Sequence, residues 1–100
     1  MEAKFITHFD RPMTDEELEP ELIKFADNLL THGFYLTAII READDAVGLV
    51  APPEELEPFR ALGAAPEPFD LESWINNTKD NVFWMFDYWH GTPKLNRMQR

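Results

Sequence analysis

Two stretches of the chain carry the clearest hydrophobic patterning, and the remaining elements are arranged around them. From Val82 to Trp89 the sequence reads Val-Phe-Trp-Met-Phe-Asp-Tyr-Trp, which gathers five of the thirteen aromatic residues. A period of two puts Val82, Trp84, Phe86 and Tyr88 on one face and Phe83, Met85, Asp87 and Trp89 on the other. Polar residues 76–81 precede the run and His90-Gly91-Thr92-Pro93 follows it, a bracketing that predicts a strand. The alternating four-three spacing of Leu71, Ile75, Thr78, Val82, Met85 and Trp89 offers a competing helix from Asp70 to Trp89. Asn76, Asn77, Thr78, Asp80 and Asn81 are weak helix formers and argue against it.

The second stretch is helical. Leu22, Phe25, Ala26, Leu29 and Leu30 recur at helical spacing, and Gly33 is suited to end the helix at C′. Upstream, Thr14 and Glu17 make a capping box. Pro20 interrupts, because a proline inside a helix costs about 3 kcal/mol. The pattern therefore predicts a short acidic turn, then a main helix starting at Pro20 as its first residue.

Residues 3–9 predict a first strand, closed by Asp10-Arg11-Pro12. Residues 34–41 predict a second, which turns through Glu42-Ala43-Asp44-Asp45 into a returning strand over Val47 to Ala51. Pro52-Pro53 ends that hairpin. A short helix is expected over Pro58 to Gly63, a loop over 64–68, and a further short helix capped by Asp70 and ending near Asn77. Glu54-Glu55-Leu56-Glu57-Pro58 repeats Glu16-Glu17-Leu18-Glu19-Pro20, but the flanks do not extend the match, so it reads as one local device used twice. Residues 94–100 look like a loose basic tail after a domain spanning 1–93. The resulting order predicts an α+β fold, a ferredoxin-like β-α-β-β-α-β sandwich with an aromatic-rich last strand. Helices would cover one sheet face; the other would carry Ile6, His8, Tyr35, Thr37, Ile39 and one side of the aromatic strand.

Composition sharpens this in one respect, the charge. The 100 residues carry a net charge of −10, and every acidic residue lies before Lys94, Arg97 and Arg100. Such a field repels nucleic acid and anionic membranes and attracts basic proteins. With no cysteine, disulfides, thiolate metal sites and cysteine nucleophiles are excluded. No signal-peptide pattern and no apolar run of membrane-spanning length is present, so a soluble cytoplasmic domain is expected.

Catalytic chemistry finds little to stand on. Ser73 is the only serine and has no nucleophile-elbow setting, and the four glycines are dispersed. His8, His32 and His90 match no metal-ligand spacing, and the carboxylates match no calcium loop. No cofactor or metal site is expected, and no enzyme. The candidates that remain are interaction residues. Asp15, Glu16, Glu17 and Glu19, then Glu42, Asp44 and Asp45, then Glu54 and Glu55 would form an acidic rim, with Tyr35, Trp84, Tyr88 and Trp89 as an aromatic patch. Together they suggest a protein-binding module that inhibits or regulates a basic, nucleic-acid-handling protein. The acids would mimic DNA, as in the anti-CRISPR type of phage anti-defence protein. A small-ligand regulatory domain that dimerises through its sheet face is the alternative.

Overall fold

The computed structural model describes residues 2–62, 66–77, 82–88 and 94–99. In chain order the elements are β1 (Glu2–His8), α1 (Asp15–Thr31), β2 (Ala38–Ala43) and β3 (Ala46–Ala51). They continue with α2 (Pro53–Leu56), which runs into a 3-10 segment (Glu57–Leu62), then β4 (Glu67–Phe69), α3 (Leu71–Asn77), β5 (Val82–Asp87) and β6 (Lys94–Gln99). The strands form one antiparallel sheet in the order β4-β1-β3-β2-β5-β6. Among the described residues this is a small α+β domain with a six-stranded sheet and three α-helices.

α1 begins at Asp15 and runs through Pro20 without a break. The capping box forms as its residues imply: Thr14 Oγ1 accepts from the Glu17 N–H, and Glu17 Oε1 accepts from the Thr14 N–H. The expected restart at Pro20 is overruled by packing. Leu18 and Leu22, one turn apart, are both buried against the sheet, and only a continuous helix keeps them on one face. Burying Leu18 is worth about 1.5–3 kcal/mol, which with the cap offsets the proline. At the far end Gly33, at φ +83°, closes the helix, with Gly33 N donating to Leu30 O and Phe34 N to Leu29 O.

The β2–β3 hairpin and the Asp70 cap also form, the latter with Ser73 N donating to Asp70 Oδ1. Other elements shift. β2 starts at Ala38, not residue 34, because side chains occupy the backbone groups of residues 35 and 36 (below). The helical segment after β3 starts at Pro53, where proline fits the first turn, and tightens to 3-10 geometry before Pro58, which has no N–H to donate. Glu67 and Pro68, expected in a loop, join Phe69 in the edge strand β4, with Pro68 tolerated on the edge.

The aromatic stretch is strand, not helix, over Val82–Asp87, and its two faces divide as the alternation requires. Its position differs from the expected sandwich: it pairs with β2 and β6, away from β1. Lys94–Gln99, expected as a loose tail, form β6 along its outer side. Helices lie on both faces. α1 covers Phe5, Ile39, Val47, Leu49 and Trp84. α3 sets Leu71, Trp74 and Ile75 against Ala38, Ile40, Val50 and Phe83 on the other face. The sheet face opposite α1 is thus covered at its centre by the chain's own 71–77 segment, while Ile6 on β1 stays exposed.

One glycine sits at a close approach of side chains. Gly48, between Ile6 and Ile40 on the α3 face, leaves room for Lys4 Nζ to reach Glu42 Oε1 at 2.7 Å across β3. A Cβ at position 48 would lie 2.8 Å from Glu42 Oε1 and 2.9 Å from Lys4 Cδ. No helix among the described residues is long and apolar enough to cross a membrane.

Candidate functional site

The sheet separates the acidic clusters. β3 leads from the Asp44-Asp45 turn to Pro52, so the first two clusters lie at one end of the sheet and Glu54-Glu55 at the other. About 17 Å, the length of β3, lies between them.

At the hairpin end the loop into α1 is pinned to the turn: Phe9 N donates to Asp45 O and Met13 N to Asp44 O. Asp15, Glu16, Glu17 and Asp44 thereby line one open groove with Arg41. The carboxylates at the start of α1, from Asp15 to Glu19, are already engaged. Arg41 Nε lies 3.6 Å from Asp15, and the same guanidinium donates to the Met13 carbonyl. Arg97 of β6 donates to Glu16 at 3.2 Å and pairs with Glu19 at 3.2 Å, and Arg11 pairs with Glu17 at 3.3 Å. Glu19 Oε1 also accepts from Trp84 Nε1 at 3.1 Å.

Titration follows the same contacts. The backbone N–H of Thr14, then Arg11, hold the Glu17 carboxyl below the usual carboxylate range. Its own backbone N–H, then Arg97, do the same for Glu16. Glu42 is taken by Lys4. The turn acids differ: no ion pair joins the exposed Asp44 and Asp45 carboxylates to any described residue.

At the opposite end an aromatic corner forms where α1 exits toward β2. Tyr88 donates through its hydroxyl to Leu36 O at 2.9 Å and accepts from Leu36 N at 2.8 Å. Tyr35 packs edge-on against it, with ring centroids 5.3 Å apart and planes at 73°. Phe86 stacks behind Tyr88 at 6.1 Å. Glu55, in the first turn of α2, accepts from Tyr35 N at 3.2 Å. Burial pushes the Tyr88 phenol up, only partly opposed by its bond to Leu36, and neighbouring Tyr35 and Glu55 add to the rise. Tyr35 itself remains 49% exposed. Glu54 is exposed and pairs with no described cation, whereas Glu57 is taken by Arg60 at 2.8 Å.

The residues expected to form one acidic and aromatic surface therefore separate into three groups. Trp84 has no exposed surface; it is core, sealed beneath α1. Asp15, Glu16, Glu17, Glu19 and Glu42 are joined to internal cations. Asp44, Asp45, Glu54, Glu55, Tyr35 and Tyr88 present surface at the two ends. Trp89 lies outside the described residues, as does His90. Among the described residues no group of three or more His, Asp or Glu side chains is arranged to hold a metal.

What sequence reasoning missed were the cations. Arg97 sits more than seventy positions from the acids it pairs with, and only the β5–β6 pairing brings it over α1. Comparison with known proteins adds no relative: no family model, curated protein or solved structure matches the chain.

Proposed function

We propose that this chain is a non-enzymatic protein-binding module that docks on a basic protein surface and inhibits or regulates the protein it covers. One observation carries the reading: the surplus negative charge is not neutralised within the fold. Lys4, Arg11, Lys24, Arg41, Arg60 and Arg97 are each committed to an internal acid, yet Asp44, Asp45 and Glu54 stay exposed without a cation. Free carboxylates on a chain of net charge −10 attract a basic partner from a distance and orient its approach. Proteins that handle nucleic acid present such surfaces, because they bind phosphate with lysine and arginine. This supports the inhibitor reading of phage anti-defence type, with free acids standing where phosphates would.

The same reading extends to topology. We infer a ferredoxin-like core in β4-β1-β3-β2, supported by α1 and the α2 segment lying in the β1–β2 and β3–β4 connections, with Glu67–Phe69 in place of the aromatic strand as its last. β5 and β6 are then a two-strand extension beyond β2, with α3 laid on the face that such a sandwich leaves open.

The test is capture from nuclease-treated host lysate at low and moderate salt, read by mass spectrometry. A basic protein retained at low salt and released by moderate salt is the expected result. Retention that ignores salt, or nothing retained at low salt, would overturn the reading.

A further inference from the structure

We propose that the Tyr35–Tyr88 corner, with Glu55, is a receptor for a guanidinium group: an arginine side chain of the protein partner. The inference rests on the docking reading above and names the point at which the partner is gripped.

Three features fit a cation of this shape. The two rings meet edge to face, with centroids 5.3 Å apart and planes at 73°, and the half-exposed Tyr35 ring is the aromatic surface left open to a planar cation. Aromatic faces are electron-rich and attract cations, and planar guanidinium also stacks on them. A carboxylate adjoins the rings. Glu55 Oε2 is fixed by the Tyr35 backbone N–H, and its Oε1 receives no hydrogen bond from any described residue. An arginine stacked on Tyr35 has N–H groups left over to donate to that oxygen, and the pair then forms in a site part-shielded from water.

The corner is also built before any ligand arrives. The Tyr88 hydroxyl is tied to both backbone groups of Leu36, and Phe86 backs its ring. Tyr35 is held through its own backbone by Glu55. Rings fixed in place cost little ordering entropy on binding, which is why tyrosine recurs among interface anchors. Arginine is favoured over lysine because a compact ammonium cannot stack on one ring and fork to a carboxylate together. Charge completes the argument: no cation among the described residues pairs with Glu54 or Glu55, whereas Glu57 already has Arg60.

The probe is N-acetyl-arginine amide, titrated while the ring resonances of Tyr35 and Tyr88 are followed by NMR. N-acetyl-lysine amide and neutral N-acetyl-norleucine amide serve as comparisons. Saturable shifts with the arginine probe are expected, with the lysine probe roughly two- to fivefold weaker and the norleucine probe without effect. Glu55→Gln should weaken the arginine probe by a similar factor. Tyr35→Leu should abolish binding while keeping the urea midpoint of the unaltered chain, since the Tyr35 ring is half exposed. No saturable shift with arginine, or an equal response to norleucine amide, would overturn the site.

Its failure is separable from failure of the docking reading. A salt-sensitive basic protein held equally by unaltered and Tyr35→Leu baits overturns the corner and leaves docking intact. Saturable arginine binding with no protein captured supports the corner and counts against docking.

Discussion

The two ends of the sheet carry the same five letters, Glu-Glu-Leu-Glu-Pro, and use them differently. At the hairpin end Glu16, Glu17 and Glu19 open α1. One caps the helix, all three meet arginines, and Leu18 between them is a core residue. At the other end Leu56 is equally buried and Glu57 equally paired, but Glu54 is left free and Glu55 serves an exposed tyrosine. The shared part of the motif is structural: an acidic first turn around one buried leucine. What differs is the tertiary supply of cations. Density of acids along a sequence therefore says little about where a partner docks; the placement of arginines decides which acids remain available.

The sharpest way to break this comparison is at Trp84, where the structural end joins the core. Trp84→Ala should cost about 3–5 kcal/mol in urea unfolding, since it empties a fully buried site and strips Glu19 of a donor. A change within ±0.5 kcal/mol would place Trp84 at the surface. At the other end Tyr88→Phe tests whether the corner is built or incidental. Loss of the hydroxyl leaves Leu36 N–H and C=O without partners and should cost about 1–3 kcal/mol, with faster amide exchange at Leu36. Thr14→Ala should cost about 1 kcal/mol by removing the helix cap.

Acid distinguishes the two roles further. Glu16 and Glu17 have lowered folded-state values, so the unfolded chain binds their protons more readily. The stabilisation they give is complete above the ordinary glutamate value of 4.5 and is lost as pH falls through the depressed folded values. Thermal unfolding followed from pH 6 to about pH 3 should show this loss, and Glu17→Gln should flatten it. The smallest effect on stability is expected from Asp44→Asn/Asp45→Asn/Glu54→Gln, each change within about ±0.5 kcal/mol, because these carboxylates are exposed and pair with no described cation.

Much of the local structure was legible from the residues. The Thr14–Glu17 box, the Gly33 terminus, the Asp70 cap and the β2–β3 hairpin all depend on groups within a few positions of one another, and all formed. Features decided at long range were not. Pro20 stays in α1 because Leu18 packs on a distant sheet, and Lys94–Gln99 become a strand only because β5 offers an edge. The start of β2 moved because a hydroxyl fifty-two positions away takes the Leu36 backbone. For the candidate site, the identity of the acids and tyrosines could be read, but their division between fold and surface could not, since it rests on Arg11, Arg41 and Arg97 arriving from separate elements.

The measurement that reaches the central claim most directly is the lysate capture run with two baits side by side, the unaltered chain and Asp44→Asn/Asp45→Asn/Glu54→Gln. The account expects the altered bait to keep its urea midpoint and lose most of the basic protein held at low salt, because the acids it lacks face the partner and carry no load in the fold. Equal retention by both baits would contradict it, and would return the surplus charge to the role of keeping the chain in solution.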